Sequence, residues 1–149
     1  MAAARRPLLA ATAIAALAAG CAPGAGQYRG TYTMRCPALD AAGREREMAR
    51  VGQMIADETG WTMLHKTDSP LQQAYEILPA AELGRDFWTV STLVSVTSDV
   101  PRQGFFVVFY SNGPGPGRPV DPVNAQIGRA LATSACTRSG FDEHWGYDF

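Results

Sequence analysis

Residues 86–111, DFWTVSTLVSVTSDVPRQGFFVVFYS, decide the fold class. From Asp86 to Thr97 the residues alternate. Trp88, Val90, Val94 and Val96 share one face, and Thr89, Ser91, Ser95 and Thr97 share the other. A period of two with this β-branched content describes a strand on a pleated, half-buried surface. Ser98 to Gly104 reads as a turn. Phe105 to Ser111 then returns with apolar residues on both faces, which suits a central strand. Together the two segments make an antiparallel hairpin. A hairpin with so apolar a return strand needs a larger sheet around it and a second layer over it.

The segments before the hairpin supply both. Tyr28 to Cys36 alternates, with Tyr28, Tyr32, Met34 and Cys36 opposite Arg29, Thr31, Thr33 and Arg35, and Pro37 ends it. Asp40 can cap a helix running to about Glu58, with Ala41, Met48, Val51 and Ile55 as its core stripe and Gly60 at its left-handed stop. Trp61 to Lys66 is a shorter strand candidate. Ser69-Pro70-Leu71-Gln72 has the form of a capping box with proline at the first helical position. It opens a short helix to Leu78 that buries Leu71, Ala74, Tyr75 and Leu78. A strand over Gln73–Ile77 is the competing reading.

After the hairpin, Asn112 to Pro119 is a Gly/Pro loop carrying Arg118. Asp121-Pro122 opens a helix to about Arg138, with Gly140 beyond it. Val123, Ile127, Ala130, Leu131 and Ser134 form its inner face, and Cys136 falls on its rim. In the tail, Phe141, Trp145, Tyr147 and Phe149 occupy odd positions, as an edge strand would place them. The expected fold is α+β, an antiparallel sheet of four or five strands with two main helices on one face. A ferredoxin-like arrangement falls within that class.

The first 20 residues have a different character. Arg5 and Arg6 precede an uncharged run from Leu8 to Ala19. Such a run suits a secretory signal core and is too short for the ~20 residues of a membrane-spanning helix. Its end, Ala18-Ala19-Gly20-Cys21, resembles the signal of bacterial lipoproteins, although Leu17 stands one step earlier than the strongest pattern has it. The resemblance implies a cut between Gly20 and Cys21. It also implies a diacylglyceryl group on the Cys21 sulfur and further acylation of the new amino terminus, commonly with palmitate. Ala22, where these families place Asp for inner-membrane retention, points to the outer membrane. The implied organisation is a signal peptide at 1–20, a lipidated cysteine and tether at 21–27, and one periplasmic domain at 28–149. Each buried CH₂ contributes ~0.8 kcal/mol, so two or more chains anchor firmly. The alternatives are an ordinary cleaved signal with a free Cys21, or an Ala-rich run with a chance cysteine.

Removing residues 1–20 takes away Arg5 and Arg6 and leaves 11 basic residues against 14 acidic ones, a net charge near −3. No basic run marks nucleic-acid binding. With Cys21 lipidated, Cys36 and Cys136 remain, and an oxidising compartment favours a disulfide between them. Two buried free thiols are the alternative. Neither cysteine sits in a CxxC motif, so no redox or zinc site is indicated.

Positive signs of catalysis are missing. No Gly-x-Ser-x-Gly elbow, Walker loop, zinc-protease helix or dinucleotide fingerprint occurs, and no cofactor is expected. His65 reads as a structural or edge histidine. Asp142-Glu143-His144 contains metal-ligand types, but three consecutive strand residues alternate in direction and cannot converge on one ion. Glu45, Glu47, Asp57 and Glu58 read as solvated helix-surface charges. Two features offer binding surfaces: the loop with Arg118, and the tail with Trp145 and Tyr147. The expected role is a lipid-anchored periplasmic binding or assembly component with the membrane and an envelope protein as partners. A small periplasmic enzyme acting on cell-envelope material is the alternative.

Overall fold

The computed structural model describes residues 27–69, 72–85, 90–112 and 120–146. Residues 1–26, Cys21 among them, lie outside them, as do Pro70, Leu71, Trp88, Arg118 and Tyr147. The chain runs β1 (Gln27–Arg35), α1 (Ala41–Thr59), β2 (Thr62–Ser69), β3 (Gln72–Leu78), β4 (Thr92–Asp99), β5 (Gly104–Asn112), α2 (Asp121–Ala132) and β6 (Thr137–Trp145). Short 3-10 turns cover Ala80–Glu82 and Val100–Arg102. The fold is α+β. Its sheet has six strands in the order β2-β3-β4-β5-β1-β6, and every neighbouring pair is antiparallel. Four or five strands was therefore an undercount.

One extra strand is β3. The spacing of Leu71, Ala74, Tyr75 and Leu78 fits a helix, but Gln72–Leu78 is extended and pairs with both β2 and β4. Two flanking ladders satisfy its backbone groups, whereas a helix this short leaves four orphan donors and four orphan acceptors. The strand reading of this segment is the one adopted.

The other revision concerns the last helix. It stops at Ala132 and does not reach Arg138. The Thr133 hydroxyl donates to the Ala130 carbonyl, and the Ser134 N–H donates to Leu131. Hydroxyls beside the last carbonyls compete with continued helix. The chain then turns through Ala135 and Cys136 and enters β6 at Thr137, four residues earlier than the tail pattern indicates. Cys136 thus lies beyond the helix, not on its rim.

The first helix forms as its sequence predicts. Asp40 accepts a hydrogen bond from the Gly43 N–H at 2.7 Å, and Gly60 closes the helix with φ of 72°. Met48, Val51 and Ile55 are buried, while Ala41 is exposed. β4 begins at Thr92, later than expected, with residues 86–89 outside the described chain. Val94 and Val96 face the main core, but Val90 does not join them. The chain bends at Ser91, and Val90 packs with Leu78 and Leu93 in a second cluster. The turn between β4 and β5 is only Val100–Gln103, with Gln103 left-handed at φ 55°.

Both helices cover one face. Val51, Ile55, Ile77, Val94, Val96, Phe105, Val107 and Ile127 are fully buried in one cluster between sheet and helices. At the junction of β1 and β5, a side chain on Gly104 would overlap the Met34 carbonyl oxygen. That close approach requires glycine. The alternation of strand direction places Gln27 at the same end of the sheet as the 79–85 segment. Cys36 and Cys136 sit at the opposite end.

Candidate functional site

The second face of the sheet carries no helix among the described residues. Register places Arg29, Thr31, Thr33, Phe106, Val108, Tyr110, Leu93, Ser95, Thr97, Glu76, Leu78, Leu64 and Lys66 on it. Phe106, Val108 and Tyr110 are half-buried there. Burial pushes the Tyr110 hydroxyl pKa up, against the pull of nearby Arg29.

A pocket of about 280 Å³ opens on this face. Its floor is Leu64 from β2, Leu78 from β3 and Leu93 from β4, with Val90 beside them. Its rim carries Lys66, Glu76, Gly84 and Arg85. The size sits just below the usual range of ligand pockets, and its accessible lining is mostly polar, unlike the mainly apolar lining usual for them. The wall is built by the segment after β3. Pro79 starts the 3-10 turn Ala80–Glu82, and Gly84, at φ 80°, reverses the chain. Glu82 pins that turn. It is 6% exposed, accepts from the Ser91 hydroxyl, and holds Arg85 Nη1 at 3.1 Å. These hydrogen bonds, Ser91's first, hold its carboxyl below the ordinary range against the cost of burial. Lys66 Nζ and Glu76 Oε2 are 3.6 Å apart on the rim.

A polar chain runs on the covered face near β6. Tyr32 donates to Asn124 Oδ1 at 2.8 Å, Asn124 Nδ2 donates to the Tyr28 hydroxyl at 2.7 Å, and Tyr28 donates to Glu143 at 2.9 Å. Gly30 makes room for it, because a Cβ there would lie 2.6 Å from the Tyr28 hydroxyl oxygen. Burial pushes Tyr28 well above the tyrosine range and Tyr32 up to about 12. Both stay neutral donors at physiological pH. This arrangement joins α2 to β1 and β6 and has no activated nucleophile.

Glu47 corrects its expected role as a solvated charge. It is 8% exposed, and its carboxylate receives Arg50 Nη2 at 2.6 Å, Arg50 Nε at 3.0 Å, the Ser134 hydroxyl at 2.9 Å and the Ala135 N–H at 3.1 Å. Arg50's hydrogen bonds lead in lowering its pKa from 4.5 to about 2, despite burial. Neighbouring Arg44 and Glu45 gave no hint of this, because the partners come from 87 and 88 residues away or from the next helical turn. Glu58 does meet a cation, Arg129 at 3.1 Å.

The remaining candidates are scattered. Cys36 and Cys136 form a disulfide. Trp145 packs on Tyr28, ring centroids 4.8 Å apart, and so belongs to the core edge. Arg118 and Tyr147 lie outside the described residues. His65 is exposed on β2 and stacks on Tyr75 at 4.8 Å, while His144 stands on β6 opposite Arg29. These are opposite edge strands, five spacings or about 24 Å apart at ~4.8 Å per strand. They cannot serve one site. Glu143 faces Tyr28 while Asp142 and His144 face the other way, so the triplet does not converge. Among the described residues no group of three metal-ligand types lies close enough to hold an ion. No described helix is long and apolar enough to cross a membrane.

No protein-family model matches the chain, and neither the search of curated proteins nor that of solved structures finds a significant relative.

Proposed function

We propose that the mature chain is a lipid-anchored binding or assembly component of a bacterial envelope, held through Cys21 and facing the periplasm, with the outer membrane favoured by Ala22. The observation that carries the reading is the order Arg5-Arg6, apolar run, Gly20-Cys21. The Cys36–Cys136 bond supports it, since such bonds persist outside reducing compartments. Only five residues, 22–26, separate Cys21 from β1, a reach of at most ~21 Å from Cys21 to Gln27, so an anchored domain would stand close to its membrane. The pocket-bearing, helix-free face offers a partner a surface that needs no catalytic machinery.

We also read the topology as ferredoxin-like with one added hairpin. β1 and β2 run parallel and are joined through α1, with three strands between them. β5 and β6 run parallel and are joined through α2, with β1 between them. These are two interleaved split βαβ units, and their helices fall on one face because such crossovers share a hand. Leaving out β3 and β4 recovers the four-stranded order of that arrangement.

The test is Cys21→Ser in the producing bacterium. The parent should fractionate with membranes and respond to detergent, and the variant should lose acyl labelling. A parent that stays in the soluble fraction without acyl label ends the proposal.

A further inference from the structure

We propose that β6 is the pairing edge for a second copy of this chain, which joins two sheets into one across a two-fold axis at Phe141. The inference goes beyond the proposed anchoring and does not depend on acylation of Cys21. Among the described residues, β6 has a hydrogen-bonded neighbour only on its β1 side. The backbone groups along its other side are a template for another strand. Phe141 is 43% exposed although its ring stacks on Tyr32 at 4.5 Å. Arg138, Asp142 and Glu143 are exposed, and none joins an ion pair among the described residues. The opposite edge differs. On β2, Lys66 meets Glu76 and His65 stacks on Tyr75, both within its own hairpin.

The order of side chains along β6 selects the occupant. In pairing with β1 the ladder skips Ser139, with Gly140 opposite Thr33 and Arg138 opposite Met34. A second copy that skips Ser139 in the same way sets Phe141 against Phe141, Gly140 against Asp142 and Arg138 against Glu143. Opposed residues then share a face in every pair. Arg138, Phe141 and Glu143 lie on the helix-covered side with Tyr32 and Tyr28, and Gly140 and Asp142 lie on the other. The two-fold repeats the Arg138–Glu143 pairing, and directly opposed unlike charges stabilise a strand pair. Charges and bulges usually deter edge pairing. Here the bulge brings opposite charges together, and a strand without it would turn its charges to the other face. The axis stands perpendicular to the sheet and keeps both helix layers on one side. The two β1 strands lie three spacings apart, about 14 Å at ~4.8 Å each. That exceeds the ~8–10 Å between packed helices, so α2, tied to Tyr28 and Tyr32 of β1 through Asn124, clears its counterpart. An anchored pair would hold this axis along the membrane normal, so that both tethers reach one bilayer.

The test uses the full chain carrying Cys21→Ser, so that no acyl group is attached, in analytical ultracentrifugation across a concentration series. A reversible monomer–dimer equilibrium is expected. Phe141→Asp and Phe141→Lys should each weaken the dimer at least tenfold. An equimolar mixture of the two should associate again, because position 141 of one copy faces position 141 of the other. Arg138→Glu should also weaken the dimer at least tenfold, and urea unfolding of each variant checks that it is folded. Hydrogen exchange of the parent supplies a readout that needs no variant. Amides of β6 should gain protection as concentration rises, while those of β2 do not. The proposal is overturned by a chain that stays monomeric at every concentration, by a dimer that tolerates all three variants, or by a mixture that fails to associate. Concentration-dependent protection of β2 in place of β6 overturns it too. So does protection of β6 by an unrelated extended peptide while the chain itself stays monomeric, because the edge then takes another protein's strand. None of these failures touches acylation of Cys21, which mass measurement reads separately.

Discussion

Cys36 and Cys136 are 100 residues apart in sequence, and their Cα atoms are 4.5 Å apart across a disulfide. The bond joins the exit of β1 to the approach of β6, which pair antiparallel. Both cysteines are buried, at 1% and 8% exposure. The covalent loop holds both helices and strands β2 to β5, while β1 and β6 flank it.

Closing so long a loop removes conformations from the unfolded chain, worth ~4.7 kcal/mol in the chain-entropy treatment. The double variant Cys36→Ser, Cys136→Ser should therefore lose about 3–5 kcal/mol in urea unfolding. A loss below about 1 kcal/mol would show that the bond does not constrain the unfolded state in this way.

Glu47 makes stability depend on acid. Its folded carboxyl titrates near 2 and its ordinary value is 4.5. A depressed carboxyl contributes fully above the unfolded value and loses that contribution as pH falls from about 4.5 toward 2. Glu82 shifts in the same direction. Glu47→Gln should cost about 1.5–3 kcal/mol at pH 7, the range for hydrogen bonds to charged groups. The gap between parent and variant should narrow as unfolding is repeated at pH 4 and then 2.5. A gap that stays constant with pH contradicts the assignment.

The tyrosine chain predicts the opposite end of the pH scale. Unfolded tyrosines ionise near 10, whereas Tyr32 titrates near 12 and Tyr28 is raised further by burial. Stability should be intact below pH 10 and fall as pH rises toward 12. Ultraviolet titration should leave Tyr28 and Tyr32 neutral well past the ordinary tyrosine value, with Tyr110 also ionising late. Asn124→Ala removes the amide shared by both hydroxyls and should destabilise by about 1–3 kcal/mol. A variant as stable as the parent would show that the chain of hydrogen bonds contributes nothing.

Much of the sheet was legible because one strong local signal spoke for each part. β1 alternates, β4 and β5 carry β-branched and aromatic runs, and α1 has both Asp40 and Gly60 at its ends. β3 was ambiguous because Leu71, Ala74, Tyr75 and Leu78 fit a helical stripe, and only pairing with two neighbours decides against it. The end of α2 was set by Thr133 and Ser134 engaging nearby carbonyls and Glu47. The alanines there carry no such stop. Glu47 itself looked like a surface charge because its partners are distant in sequence. The pocket was invisible for the same reason: Leu64, Leu78 and Leu93 come together only once β2, β3 and β4 are in register.

Anchoring at Cys21 is tested most directly by the intact mass of the protein extracted from membranes of the producing bacterium. The expected species begins at Cys21, carries the mass of a diacylglyceryl group and an added acyl chain, and is two hydrogens lighter for the Cys36–Cys136 bond. A soluble species with an unmodified thiol at Cys21, or one beginning elsewhere, would contradict the proposed attachment.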